Sequence, residues 1–176
     1  MKRLIILIIV SINCIFCSSQ TKINNNKEVD ILLKMPVDLI TQIPVKFTIQ
    51  NKSSNTYIID PYGFAGNSYW LFENKRLNSI GLQKGYYSRE NPDCEYDIII
   101  IRPKEKIEKI INLNYSEKQR YDFSKIGHYV WKVESKHVRE NTMPSSCRQY
   151  ITDLEKKGYK FLQDSISAEI DFVREQ

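Results

Sequence analysis

Apolar and polar residues alternate along most of the chain after residue 28. An alternation of period two is typical of antiparallel strands that bury one face and expose the other. The inward side chains predicted in this way are Val29, Ile31 and Leu33; Val45, Phe47 and Ile49; Ile111, Leu113 and Tyr115; Tyr129, Trp131 and Val133; and Ile166, Ala168, Ile170 and Phe172. The segment TYIID adds one strand, and SYWLFENKRL predicts a hairpin that turns near Asn74 and Lys75. We therefore expect an all-β fold of seven or eight antiparallel strands packed as a sandwich.

Two segments depart from the alternation. EYDIIIIRP is a continuous apolar run that ends at Pro103, so it predicts a strand covered on both faces. SSCRQYITDLEKKGYKF instead places apolar residues at helical spacing, with Ser145 or Ser146 as the N-cap and Gly158 as the stop. The sequence thus predicts one short helix, inserted before the last strand.

The first residues have the layout of an export signal. Lys2 and Arg3 precede an unbroken apolar run over residues 4–10, and small and polar residues follow. A spanning helix needs about 20 predominantly apolar residues, whereas Ser11 and Asn13 interrupt this run early. We therefore expect a signal that is cleaved and not a membrane span.

Two cysteines, Cys14 and Cys17, close the apolar run. A redox C-x-x-C site needs a strand before it and a helix after it, and a zinc site needs a second ligand pair; this segment has neither. The segment resembles a bacterial lipoprotein signal, although Phe16 stands where such signals usually have a small residue. The resemblance implies that Cys17 is lipidated and becomes the first residue of the mature chain. Ordinary signal cleavage after Ser19 is the alternative, and it would yield a secreted soluble protein.

The mature part divides into a tether and one domain. Residues 18–27 are polar and lack periodicity, so we expect a flexible tether there, followed by a single domain over residues 28–176. Cys94 and Cys147 are the two cysteines of that domain, and an even pair in an exported chain predicts a disulfide. Closing a loop of about 54 residues is worth about 4 kcal/mol. Two free buried thiols are the alternative.

The segment YDFSKIGHYVWKVES carries a more specific resemblance. Gly127, Tyr129 and Trp131 have the spacing of the tyrosine corner at the start of strand F in immunoglobulin-like domains, with Trp131 where antibody domains have a cysteine. The resemblance implies an immunoglobulin-like antiparallel β-sandwich. The B–F disulfide of antibodies is absent from this sequence.

Charge and motifs exclude several functions. The formal net charge of +5 falls to +3 once Lys2 and Arg3 leave with the signal, and no basic stripe remains, so nucleic acid is not an expected partner. His128 and His137 are expected on exposed or edge-strand positions, and no G-x-S-x-G, H-E-x-x-H or phosphate-binding glycine loop occurs. The acidic segment RENPDCEYD is expected to be a solvated loop. No metal and no cofactor are therefore expected.

Aromatic residues are concentrated in two turn-rich segments, DPYGFAGNSYW and GYYSREN. Aromatic side chains on polar loops are common contact residues because they offer a large apolar area at a small entropic cost. The candidate binding residues are Tyr62, Phe64, Trp70, Tyr86 and Tyr87. Trp70 has an alternative role as filler of the sandwich edge.

Together these features predict a non-catalytic lipoprotein of the bacterial cell envelope that acts as a protein-binding or accessory module. Its partners would be the lipid membrane, through the N-terminal anchor, and another envelope or secreted protein. Two alternatives stay open. One is a secreted inhibitor or immunity protein that blocks an enzyme with a loop such as residues 85–91, and the other is a hydrolase whose carboxylates the sequence does not identify.

Overall fold

The computed structural model describes residues 20–35, 37–38, 45–80, 89, 94–113 and 121–174. This part of the chain is mostly β-structure, with three sheets and one long helix. The strands are β1 (Gln20–Lys22), β2 (Val29–Lys34), β3 (Val37–Asp38), β4 (Lys46–Asn51), β5 (Tyr57–Ile59), β6 (Phe64–Phe72), β7 (Lys75–Arg76), β8 (Ile99–Ile101), β9 (Lys106–Ile110), β10 (Gly127–His137), β11 (Lys160–Phe161) and β12 (Asp164–Arg174). The helices are α1 (Cys94–Asp97) and α2 (Ser145–Lys156), and a 3-10 turn spans Arg139–Asn141.

The strands form one sheet in the order β1-β2-β4-β9, a second in the order β3-β12-β10-β6-β7 and a third in the order β11-β5-β8. Pairing is antiparallel except between β3 and β12 and between β5 and β11. The strand number exceeds the expected seven or eight because short strands such as β1, β3, β7 and β11 join the sheet edges. Two or three residues are too few to show an alternation, so sequence periodicity does not reveal such strands.

All three sheets contribute to one hydrophobic core. The predicted inward side chains of β2, β4, β10 and β12 are buried, apart from Ala168, which is half-buried. Most of their neighbours are more exposed, but Thr48 and Val130 are buried as well. Ile111 and Leu113 are also buried, but they follow the end of β9. Tyr115 lies outside the described residues. Period two therefore located the faces of the long strands correctly.

Strand β10 is the centre of the second sheet. The hydroxyl of Tyr129 donates a hydrogen bond to the carbonyl oxygen of Lys125 at 2.7 Å, which ties the start of the strand to the preceding corner. Trp131 is fully buried, and its ring stacks on that of Trp70 with centroids 5.9 Å apart and planes 20° apart. Trp70 also meets the rings of Phe123 and Phe172 at 4.8 and 4.9 Å. These aromatic side chains fill the middle of the core.

A smaller hydrophobic cluster attaches α1 and α2 to β5. Its members are Ile58, Cys94, Ile98, Cys147, Ile151 and Leu154. The predicted disulfide is confirmed, because Cys94 at the start of α1 is bonded to Cys147 in the first turn of α2. Helix α2 is confirmed as well, although its N-cap is Pro144 and not a serine. Gly158 follows the helix with φ of +91°, a left-handed conformation that favours glycine.

Two expectations are corrected. EYDIIIIRP is not one strand covered on both faces: α1 takes its first residues, β8 is short, and Ile100 is 36% exposed. The tether expected over residues 18–27 is structured from Gln20 onward, because β1 pairs with β2. Ile23 and Asn24 behind it are buried, and the Asn24 amide donates to the Val29 carbonyl oxygen at 2.8 Å. Backbone pairing and one buried amide therefore order a segment that lacks apolar periodicity.

Candidate functional site

The end of β5 leads into a tight turn that begins the candidate site. The sequence Asp-Pro-Tyr-Gly favours such a turn because aspartate caps it and proline presets the backbone. The Asp60 carboxylate accepts a hydrogen bond from the Tyr62 amide at 3.0 Å, and the Gly63 amide donates to the Asp60 carbonyl oxygen at 3.0 Å. A Cβ on Gly63 would lie 3.1 Å from both Asp60 Cβ and His137 Cδ2. A side chain at position 63 would therefore require Asp60 or His137 to shift by a few tenths of an ångström.

Arg89 joins this turn to two other segments. Its side chain is only 2% exposed, and its Nη2 lies 2.8 Å from Oδ1 of the fully buried Asp60. Nη1 lies 3.4 Å from Asp97 Oδ2, and Nε donates to the Met143 carbonyl oxygen at 3.3 Å. The guanidinium also lies 4.8 Å from the centre of the Tyr62 ring, within cation–π range. One buried cation thus fixes the positions of the β5 turn, α1 and the segment before α2.

His137, at the end of β10, supports the same turn from within the protein. Its Nε2 accepts a hydrogen bond from the Asp60 amide at 3.1 Å, so Nδ1 carries the proton and donates to the Leu162 carbonyl oxygen. The imidazole stacks against the rings of Phe64 and Phe161 at 4.4 and 4.6 Å. Burial lowers the pKa of His137 below its ordinary value of 6.5, and the carbonyl oxygen of Leu162 and the charge of Asp60 oppose that shift. Both ring nitrogens are engaged, which is the arrangement of a neutral, structural histidine.

The expectation that both histidines occupy exposed or edge-strand positions is correct for His128 and wrong for His137. The His128 side chain is 52% exposed and lies 2.9 Å from Asp171, whereas His137 is fully buried. His137 is separated from Tyr129 and Trp131 by an even number of residues, so all three lie on the same face of β10. Continuing the alternation to the last residue of the strand would have placed His137 inward.

Above this buried cluster the protein exposes two large side chains. Tyr96 is 78% exposed and Met143 is 60% exposed. Arg89 holds the backbone near both residues. Its guanidinium contacts the carboxylate of Asp97, which follows Tyr96, and donates a hydrogen bond to the carbonyl oxygen of Met143. The disulfide begins at Cys94, two residues before Tyr96. We call this surface, formed by Tyr62, Arg89, Tyr96, Asp97 and Met143, the disulfide tip.

The residues proposed from the sequence for binding are distributed differently from the expectation. Tyr62 is half-buried beneath Arg89 at the disulfide tip. Phe64 and Trp70 are 3% and 2% exposed, so both are core residues and are removed from the candidate binding surface. Their strand β6 has one face in the core, and the alternative role of Trp70 as a packing residue is the one that the burial supports. Cys17, Tyr86 and Tyr87 lie outside the described residues.

The sequence reasoning overlooked Tyr96 and Met143. Tyr96 was hidden in a segment that was expected to be a strand, and Met143 stands in a polar stretch with no periodicity. A signal was present nonetheless, since both lie within four residues of a disulfide cysteine.

The disulfide tip offers contact surface and not an evident reacting group. Arg89 engages the carboxylates of both Asp60 and Asp97, and the second oxygen of Asp60 is buried without a hydrogen-bond partner in the described part of the chain. Among the described residues, no cluster of three or more His, Cys, Asp or Glu side chains could hold a metal ion. None of the helices in that part is long and apolar enough to cross a membrane.

A second surface lies on the second sheet, across β6, β10 and β12. It is a groove of about 460 Å³ lined by Asn67, Tyr69, Lys132, Val133, Glu134, Ser167, Ala168 and Glu169. Lys132 and Glu169 form an ion pair at 2.6 Å across it. Because these charges satisfy each other and exposed ion pairs contribute little, the groove offers weaker contacts than the disulfide tip.

Neither a family model nor a curated protein sequence matches the chain.

Proposed function

We propose that this protein is an exported, membrane-anchored immunoglobulin-like domain that binds another protein through the disulfide tip. Export and anchoring rest on the N-terminal signal and on Cys17, as the resemblance to bacterial lipoproteins implies. The binding role is non-catalytic, and it rests on the geometry around Arg89.

The strand order supports an immunoglobulin-like fold. The order β7-β6-β10-β12 corresponds to strands C′, C, F and G of a variable-type domain, and β2-β4-β9 corresponds to A, B and E. Immunoglobulin domains pack a tryptophan of strand C against the cysteine of strand F; here Trp70 packs against Trp131 at that position. The bond from Tyr129 to Lys125 has the form of the tyrosine corner.

One observation carries the binding role: two large exposed side chains stand on backbone that is clamped by a buried cation and a disulfide. Tyrosine and methionine are both enriched at protein interfaces. A clamped backbone loses little conformational entropy when a partner binds, so more of the contact energy appears as affinity. Tyr96 and Met143 therefore have the chemistry and the rigidity of interface residues.

The test is photocrosslinking in intact cells, with the full chain carrying a photoreactive amino acid at position 96. We expect a discrete adduct with one protein, and no such adduct from position 126, where Ile126 is similarly exposed at 59%. Met143→Glu should reduce the adduct from position 96 at least fivefold, because a charge would be desolvated in the interface. Ile126→Glu is the matched control and should leave it unchanged.

The yield and identity of the adduct decide between the alternatives. Equal adducts from positions 96 and 126, or an adduct insensitive to Met143→Glu, would contradict binding at the disulfide tip. If the captured protein is an enzyme, and if its activity falls in proportion to the amount of this protein that is bound, the inhibitor hypothesis replaces that of an accessory module. Melting curves of both glutamate variants should match the unmodified protein, since both positions are exposed.

A further inference from the structure

We propose that the end of the domain opposite the disulfide tip docks on the membrane surface and binds anionic lipid headgroups. This inference rests on the proposed lipid anchor at Cys17. It adds an orientation and a second partner to that anchor.

The distance between the anchor and the fold is short. Gln20 is the first residue of β1, where it pairs with Lys34, and its side-chain amide donates to Thr48 Oγ1 at 3.2 Å. Gln20 stands three residues after Cys17. Three extended residues span at most about 11 Å. A lipid on Cys17 would therefore hold the end of the domain that contains Gln20 against the headgroups.

The first sheet presents a row of side chains at this end. Gln20 faces Lys34 in the register of β1 and β2, and Lys46 faces Ile110 in the register of β4 and β9. The pairing of β2 with β4 ends at Leu32 and Thr48, and the same register extended by two residues would place Lys34 opposite Lys46. We call these four residues the basal row. Paired residues of an antiparallel sheet share a face, and the exposure of Lys34, Lys46 and Ile110 shows that this face points to solvent.

The two lysines of the basal row are available for a ligand. Lys34 and Lys46 are exposed, and neither forms an ion pair with any residue of the described part. Ile110 beside them is 47% exposed. Cations with long apolar stems next to an exposed isoleucine suit a membrane interface, where the stems lie among the headgroups and the charges meet phosphates.

The second sheet adds to the same end. Val37, three residues beyond Lys34, pairs with Phe172, and Phe172 pairs with Tyr129, which pairs with Phe72. The corner before β10 and the β6–β7 turn therefore lie beside the basal row. The charged residues described at these termini and turns are Lys75, Lys125 and Arg174 together with Asp38, Glu73 and Asp122. With Lys34 and Lys46 included, cations outnumber carboxylates there.

The disulfide tip lies at the far end of the long strands. Strand β10 runs from Gly127 at the basal end to His137, which accepts the hydrogen bond of Asp60 at the tip. An anionic surface that attracts the basal row would consequently point Tyr96 and Met143 away from the membrane, toward a soluble or envelope partner.

The experiment uses the full lipidated protein reconstituted into vesicles. A fluorophore is attached at Ile110→Cys in the basal row or, as the reference, at Tyr96→Cys in the disulfide tip. The vesicles contain phosphatidylcholine alone or mixed with phosphatidylglycerol, and lipids with a spin-labelled headgroup quench at short range. We expect strong quenching at position 110 and little at position 96, with the quenching at 110 dependent on phosphatidylglycerol and weakened by salt.

Charge removal provides the second arm. Each lysine close to an anionic surface strengthens binding about fivefold, so Lys34→Gln with Lys46→Gln should weaken docking about 25-fold. Lys136→Gln with Lys160→Gln is the matched control, since these exposed strand lysines lie away from the basal row, and it should leave docking unchanged.

Each outcome separates docking from anchoring. Equal quenching at positions 110 and 96, or quenching at 110 that depends neither on phosphatidylglycerol nor on the two lysines, overturns docking while the anchor stands. Mass spectrometry of the mature N-terminus reports the anchor itself. An unmodified N-terminus at Gln20 would overturn both, whereas it would leave the crosslinking test of the disulfide tip unaffected.

Discussion

Arg89→Met tests whether a buried cation holds the disulfide tip together. Methionine keeps much of the apolar stem but removes the charge, and the Asp60 carboxylate, fully buried, would then have no cation. Breaking a buried ion pair by removing one partner costs about 3 to 5 kcal/mol, because the remaining charge stays desolvated. Asp97 contributes less, since its side chain is 19% exposed and its distance to Arg89 is 3.4 Å. We therefore expect the loss to lie in that range and to come mainly from Asp60.

The measurement is equilibrium unfolding in urea with the disulfide intact, supported by thermal melting. For a domain of this size, 1 kcal/mol corresponds to about 2 to 4 °C, so the melting temperature should fall by about 6 to 20 °C. Arg102→Met is the matched control, because Arg102 is exposed and its change should stay within about 0.5 kcal/mol.

A double variant isolates the cause. Arg89→Met combined with Asp60→Asn removes both charges, so it should recover part of the stability that Arg89→Met alone loses. If the single variant unfolds at the urea concentration of the unmodified protein, or if the double variant is less stable than the sum of the two single changes predicts, the electrostatic account of the disulfide tip is wrong.

Further predictions concern the core, pH and the anchor. Trp131→Ala should cost about 3 to 5 kcal/mol in urea unfolding because it leaves a cavity at the centre of the aromatic core, and unchanged melting would mean that the strand facing is misassigned. The lowered pKa of His137 means that the unfolded chain binds more protons, so stability should fall as pH decreases below about 6.5, by at most about 1.4 kcal/mol per pH unit. His137→Gln should remove that slope and His128→Gln should keep it; an equal slope in all three proteins would contradict the assignment. Cys17→Ser should release the protein from the membrane fraction and Cys14→Ser should not, because the proposal places the lipid on Cys17 and removes Cys14 with the signal; retention of the Cys17→Ser protein would refute the anchor.

Features encoded in local pattern could be predicted from the sequence. The long strands β2, β4, β10 and β12 bury alternate side chains, so their faces follow from period two. Helix α2 follows from apolar spacing and from Gly158 at its end. The disulfide followed from the even pair of cysteines in a domain that the sequence predicts to be exported. Each inference used residues close in sequence or a count that needs no geometry.

Features created by distant contacts could not be predicted. Arg89 and Asp60 are 29 residues apart, and nothing local marks either as one half of a buried pair. Strand β1 is polar and is ordered by pairing with β2 and by Asn24, whose side chain contacts Asp164 at the other end of the chain. Tertiary contacts decided these positions against their local preference, as happens where polar groups satisfy each other inside a fold.

The position of β1 has a mechanical consequence. Strand β1 begins at the end that the proposed anchor would hold and runs antiparallel to β2 toward the opposite end of the domain. A partner that pulls on the disulfide tip would therefore apply force along the direction of β1. The hydrogen bonds between β1 and β2 would then bear the force together, in shear, and would not break one after another. With only two residues between Cys17 and Gln20, almost no slack would absorb the pull, so tension from a partner would reach the proposed lipid anchor through that short ladder.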